Sequence, residues 1–354
     1  MPLKTSDAPF QTVLDALVDT TSPFPGSFLT RFSDIQASDL NLLKNIWPTI
    51  KPKRRLSLVE ELINLNEHST IVCFDDVAVL FLEDEDTRVR TTGLRLLRNS
   101  EDFRLIPRLI RLLEKDKQVV VQAAAAGALG TFVLLGELDK ISPEKLHQIE
   151  HALLPRITAA NDDLIRRSAL EAMGYSSRKE MDRLISDAFE ESDPDWVASA
   201  LVAMGRSSSE EWGMRILRSL IHPDSEVVME AIRAAGMLNL AGAVEPLLEM
   251  LDSGEEMDKE LRYAAIWALS EIGSEKASAA LEALLENAET DEEADFVENA
   301  IENVDVGSES LGLDSLGLDE IDLENLRNRN FAEYTDDEDL NEESWDDKEP
   351  ESDS

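Results

Sequence analysis

Residues 168–177 read SALEAMGYSS and residues 199–208 read SALVAMGRSS, nearly the same phrase written twice at an interval of 31. A catalytic motif is rarely duplicated so close by, whereas a recurring structural unit with a period of 20 to 50 residues is the ordinary cause of such self-similarity. With the glycine that ends each phrase, Gly174 and Gly205, as a mark, Arg98, Gly130, Gly236, Ser270 and Asp305 fall into the same slot. The intervals are 32, 44, 31, 31, 34 and 35 residues.

Five places before the mark stand Gly93, Ala125, Ala169, Ala200, Ala231, Ala265 and Ala300, small in every copy. Four places before it are Leu94, Ala126, Leu170, Leu201, Ile232, Ile266 and Ile301, and nine before it Val89, Val121, Ile165, Trp196, Val227, Leu261 and Phe296. Together with the place just before the mark, these positions make one apolar stripe at helical spacing. Twelve before the mark come Asp86, Gln118, Asp162, Asp193, Asp224, Asp258 and Glu293, mostly residues that cap a helix by accepting from its first free amides. The marking glycine suits a left-handed residue closing the helix. The small residue matters most, since it lets another backbone come close. Trp196 and Trp212 fall in buried registers.

Other amphipathic runs lie between these helices, such as MDRLISDAFEES at 181–192, with Met181, Leu184, Ile185, Ala188 and Phe189 on one face. The unit is therefore helix A, short turn, helix B. Pro107, Pro155 and Pro246 are expected near the first turn of a helix A, where a missing amide hydrogen costs little. The 44-residue interval implies an insertion around TFVLLGELDKISPEKLHQ that lengthens helix A or the loop before it.

The pattern D-x-x-V-R-x-x-A-x-x-A-L-G, carried by DTRVRTTGLRLLR, DPDWVASALVAMG and DKELRYAAIWALS, resembles HEAT repeats of the phycobilisome-lyase type. The resemblance covers roughly 70–305, and more loosely 35–66. It implies an all-α HEAT-repeat α-solenoid of seven or eight helix pairs, an armadillo-like helical superhelix whose kind serves mostly as binding scaffold. The expected organisation is an N-terminal cap over 1–34, the solenoid over 35–305 and an acidic disordered tail over 306–354.

Charge narrows the partners. There are 74 acidic against 34 basic residues, a net −40, which repels nucleic acid and anionic membranes and favours protein partners with basic patches. Residues 305–354 hold 19 acidic and 3 basic residues, so this end carries −16 and the body −24. Within it SLGLD occurs twice, and the Leu/Asp segment 311–326 either folds on a partner or returns to the solenoid; Tyr334 and Trp345 are candidate anchors. A single cysteine, Cys73, rules out an intramolecular disulfide and suits a reducing, cytoplasmic setting. No signal peptide and no uninterrupted apolar run of membrane-spanning length is read.

On an A/B solenoid the B helices line the concave side, and the positions seven and three before the mark face outward from it. There Val202, Met229, Arg233, Tyr263 and Trp267 form a stripe of residue types enriched at binding hot spots, the candidate partner site. The alternative is that Tyr263 and Trp267 lean onto the neighbouring repeat. His147, Glu150 and His151 match H-x-x-E-H, a zinc spacing, but no third ligand follows from the sequence and solvated helix-face residues are the better account, so no metal is expected. HEAT-like deoxyhypusine hydroxylases hold iron through His-Glu dipeptides; His68, His147, His151 and His222 are followed by Ser, Gln, Ala and Pro. The expected function is thus a non-catalytic scaffold without cofactor, the rival being an enzyme or enzyme subunit of the phycobilin-lyase kind.

Overall fold

The computed structural model describes residues 8–309 apart from 68, 70, 161, 253–257 and 289, and among them there is no β-strand. A first helix, α1 (Phe10–Val18), precedes eight helical hairpins. The hairpins are α2 (Ala37–Ile46) with α3 (Pro52–Glu67), α4 (Asp75–Phe81) with α5 (Thr87–Leu96), and α6 (Ile106–Lys115) with α7 (Val119–Glu137). Next come α8 (Pro143–Ala159) with α9 (Asp163–Ala172), and α10 (Glu180–Phe189) with α11 (Pro194–Arg206). The last three are α12 (Gly213–Ser219) with α13 (Ser225–Met237), α14 (Val244–Asp252) with α15 (Lys259–Ile272), and α16 (Glu275–Glu286) with α17 (Asp291–Glu309). The odd-numbered member of each pair is helix B.

Five of the seven registered B helices begin as the register requires. The carboxylates of Asp86, Asp162, Asp193, Asp224 and Asp258 accept from backbone amides of the first turn, each such cap stabilising by about 1 kcal/mol. Two copies depart from the rule. Gln118 makes no side-chain cap, and its own amide is held by Asp116 at 2.9 Å. Glu293 lies inside α17, where the Thr290 hydroxyl caps instead at 3.2 Å from the Glu293 amide.

The small residue five before the mark is buried in all seven copies. At Gly93 the reason is visible: a Cβ would stand 2.9 Å from Phe81 Cβ and 3.2 Å from the Ala78 carbonyl, both on the hairpin's own helix A. That side of helix B is therefore the seam that closes each hairpin, with Leu94, Leu170, Leu201, Ile232 and Ile266 fully inside. Burying a side chain of this size contributes roughly 1.5–3 kcal/mol.

The marking glycines do something other than cap. None adopts a left-handed backbone; among the described residues the one positive-φ glycine is Gly273, and the left-handed residues after α11 and α13 are Ser208 and Asn239. Instead a Cβ on Gly130, Gly174 or Gly205 would meet the Cα of Ala172, Ala203 or Ala234 at 3.3, 2.8 and 3.0 Å. Each glycine thus seats helix B against the next helix B. Successive hairpins meet mainly through these B helices, while the A helices touch one another much less. Hairpins that are closer on the B side than on the A side fan outward, so the B helices form the inner, concave face.

The long interval is absorbed as helix. Helix α7 continues seven residues past Gly130, and α8 reaches 17 residues, so both arms of the insertion grow and not helix A alone. Pro155 falls in the later part of α8 and not in its first turn. Among the described residues α7 is long and apolar enough to cross a bilayer; most of its residues are buried, packed among α5, α6, α8 and α9. At the other end Phe10, Val13, Leu14, Leu17, Phe24 and Phe32 form a buried group, with Phe10 edge-on to Phe32 at 5.8 Å. The disordered tail expected over 306–354, the duplicated SLGLD, Tyr334 and Trp345 lie outside the described residues, save that α17 continues to Glu309.

Candidate functional site on the concave face

The stripe named from sequence lies where the B helices meet, and the structure divides it in two. Val202, Met229 and Arg233 are each only 7% exposed. The glycine-seated B helices come so close that residues three and seven before the mark are enclosed by their neighbours. Tyr263 and Trp267 remain half-exposed. Tyr263 leans sideways, stacked on Phe296 of α17 at 4.5 Å with Lys259 5.3 Å from its ring. Burial pushes the Tyr263 phenol above its usual range; the Lys259 ammonium works against this and Glu292 and Glu293 add to it. Trp267 lies over Gly236, where a Cβ would come within 2.6 Å of the indole Cζ3.

Arg233 pairs with Glu230 at 2.7 Å, both enclosed, yet its Nε–H has no acceptor. Trp267 Nε1–H is likewise buried without one, and so is Arg95 Nε–H. These three donors occupy the same register, three before the mark, on different B helices. A buried donor without a partner costs about 1–3 kcal/mol, and the Nε–H groups of Arg31, Arg55 and Arg178 and the Trp212 Nε1–H share that condition away from this register.

Between the two ends the face is braced. Arg167 reaches Asp195, Ser199 donates to Glu171 at 2.7 Å, and Arg206 donates to the Glu171 carbonyl at 3.1 Å while lying over the Tyr175 ring. Toward the N-terminal end a groove opens over α5, α7 and α9, with Arg95, Arg98, Ala123, Ala124, Gly127 and Glu171 in its wall and floor. Sequence reading missed this pocket because Arg98 occupies the marking slot, where the other copies carry glycine, serine or aspartate.

The H-x-x-E-H residues do not converge. His147 and His151 are exposed on α8 with ring centres 6.4 Å apart. Glu150 turns inward, accepting from Ser176 Oγ at 2.7 Å and pairing with Arg178 at 3.3 Å. His222 Nδ1 accepts the Asp224 amide at 3.1 Å in the turn before α13, and His68 lies outside the described residues. Cys73 is exposed, and partial burial of its thiol together with the nearby Asp75 and Asp34 carboxylates raises its pKa, which disfavours the reactive thiolate.

Residues 214–303, the stretch holding α12 to α16 and most of α17, match the family model for HEAT repeats. These hairpins are HEAT repeats. No curated protein matches the sequence. Among solved structures, the HEAT-repeat chain is similar to the complex of CpcE and CpcF of phycocyanin lyase from Nostoc sp., at 20% identity over 65% of this chain and 94% of that one, TM-score 0.41. It is similar also to human deoxyhypusine hydroxylase in complex with glycerol, at 17% identity over 84% of this chain and 96% of that one, TM-score 0.34. A third likeness is to the Kap95:Nup1 complex, at 11% identity over 82% of this chain and 41% of that one, TM-score 0.36.

Proposed function

We propose that the protein is a non-catalytic interaction scaffold that holds a protein partner on the concave face of its C-terminal repeats, around Arg233, Tyr263 and Trp267. The observation that carries this reading is the pair of orphan donors, Arg233 Nε–H and Trp267 Nε1–H, on neighbouring B helices. Both N–H groups are enclosed in the free chain, so the backbone carbonyls of an extended partner segment reach them as the Arg233 and Trp267 side chains shift on binding. Val202 and Met229, enclosed beneath, shape the floor and make little contact themselves. Residues 201–304 hold 23 acidic and 7 basic residues, so this half steers partners with basic patches toward the donors.

The test is Trp267→Phe, which keeps an aromatic ring at this position and removes the indole N–H together with the second ring. Wild-type and variant full-length chains are used to capture partners, which are quantified by mass spectrometry and re-measured as purified pairs. A partner whose affinity falls about tenfold, the loss of one buried hydrogen bond, is the expected result. An unchanged partner set and unchanged affinities at equal melting temperature would remove the reading.

A further inference from the structure

One end of the solenoid is closed and the other is open. The position four before the mark is at most 1% exposed in six copies, Leu94 through Ile266, and the position one before it, Leu97 through Leu269, is at 0% in the same six. In the seventh copy Ile301 and Val304 hold these places and are only half-buried. The register is the same; what differs is the neighbour. Each earlier helix B has a following hairpin against it, whereas α17 packs on α15 and α16 and no further hairpin follows among the described residues. Leu284 and Leu285 of α16 are half-buried as well. At the N-terminal end the terminal hairpin is covered: α1 packs on α2 and the turn 26–32 on α3, burying Phe10, Val13, Leu14, Leu17 and Phe32. Stacked hairpins need a cap at each end, because a terminal hairpin otherwise leaves its apolar side in water.

We infer that the open side of α16 and α17 is the docking site of the chain's own segment 311–326, which caps the C-terminal end of the solenoid. The segment reads LGLDSLGLDEIDLENL, and seven of its sixteen residues are leucine or isoleucine. It begins two residues after Glu309, the end of α17. Its extended reach of about 55 Å is ample for running back along α17, which is about 28 Å long. A ligand tethered this closely meets its site at an effective concentration near the millimolar range, above that of most external competitors. Charge also selects this occupant. Residues 275–304 hold ten acidic residues and one basic residue, so a second copy docking by the same side would set like charge against like. The chain's own segment is followed instead by Arg327 and Arg329, two of the three basic residues beyond 304, which offer counter-charge to the exposed Glu282, Glu286, Glu298 and Glu302. The five carboxylates within 311–326 oppose docking, but between solvated charges that repulsion is screened over about 8 Å at physiological salt. The apolar side chains gain by leaving water at any ionic strength.

Hydrogen exchange read by mass spectrometry tests this on the full-length chain, purified alone and shown to be monomeric by light scattering. Relative to the rates their sequences have when unfolded, the amides of 311–326 should exchange about tenfold more slowly than those of 333–353. The variant Leu316→Ser/Leu318→Ser/Ile321→Ser/Leu323→Ser should then exchange about tenfold faster both in 311–326 and in 297–304, with α9 to α13 unchanged. It alters nothing in residues 8–309, so it decides the matter even where the reciprocal variant, Ile301→Lys, fails to fold. Where Ile301→Lys folds, it should release 311–326 to the same degree. Trp267→Phe should leave both stretches unchanged, which separates this inference from the partner reading. Exchange of 311–326 as fast as that of 333–353 would overturn it. So would exchange of 297–304 that the serine variant leaves intact, protection that disappears as a dimer is diluted, or protection that arises only when another protein is added.

Discussion

Gly205 of α11 faces Ala234 of α13 so closely that a Cβ on the glycine would stand 3.0 Å from the Ala234 Cα. Elsewhere in a helix glycine costs roughly 0.5–1 kcal/mol relative to alanine, and replacing it stabilises. Here the order reverses. Gly205→Ala must push α13 away or distort α11, an overpacking that costs about 1–3 kcal/mol. Urea unfolding of wild type and variant checks it, with Gly26→Ala as the control because nothing lies within 4 Å of that position. A gain in stability at Gly205 would mean that the B helices are not seated on their glycines.

The seven-copy register of small and apolar residues carries enough information to place the hairpin seam: Ala125, Ala169, Ala200, Ala231 and Ala265 are all fully buried. It does not carry the distance between one helix B and the next, because that distance is set by two residues 29 to 42 apart, such as Gly174 with Ala203 or Gly130 with Ala172. The consequence reaches the candidate site. Met229 and Arg233 occupy positions that face outward on an isolated helix B, and only the tight glycine contact encloses them. The insertion was legible as length; its division between α7 and α8 was not, since a run such as TFVLLGE extends a buried helix as readily as it starts a new one.

The capping register separates two residues that the repeat pattern treats as equivalent. The Asp224 carboxylate accepts from the Glu226 and Val227 amides at 3.0 and 3.3 Å, so Asp224→Ala should cost about 1 kcal/mol and Asp224→Asn little. Glu293 stands inside α17 rather than at its N-cap and holds Arg262 at 2.7 Å. For Glu293, therefore, the isosteric Gln should lose most of what Ala loses, because the ionic component goes in both. Thermal melts of the four variants read the contrast directly, and equal rescue by both amides would contradict it.

A buried polar knot ties the first hairpin to the second. Asp84 Oδ2 accepts from Trp47 Nε1 and from Arg55 Nη1, both at 2.6 Å, and Arg55 also reaches Glu85 at 2.6 Å. The Asp84 side chain is entirely enclosed. Burial works against the Arg55 charge, but Glu85 and Asp84 outweigh it and raise the guanidinium pKa. Removing Arg55 strands a buried carboxylate, so Arg55→Ala should cost about 3–5 kcal/mol. Removing both charges strands neither, and Arg55→Ala/Asp84→Ala should cost less than the two single changes together by roughly 0.5–3 kcal/mol. A double-mutant cycle in urea measures that coupling, and strict additivity would show that the two residues do not act as a pair.

Asp75 offers the opposite behaviour, a carboxyl that the fold prefers protonated. Burial raises its pKa, and Asp102 and Asp76 push in the same direction, while hydrogen bonds from Ser100 and Cys73 oppose them incompletely. Because the folded chain holds this proton more tightly than the unfolded one, the site's contribution to stability is fully present below the ordinary aspartate value near ~4. It fades as pH rises through the higher folded value. Asp75→Asn cannot ionise, and its amide oxygen can still accept from Ser100. The variant should therefore gain on wild type as pH rises from about 4 to 7, the difference in melting temperature growing over that interval and then levelling. Melting curves at matched ionic strength decide it: a difference that stays constant with pH, or one that shrinks as pH rises, would mean that the Asp75 carboxylate is favoured by its surroundings after all.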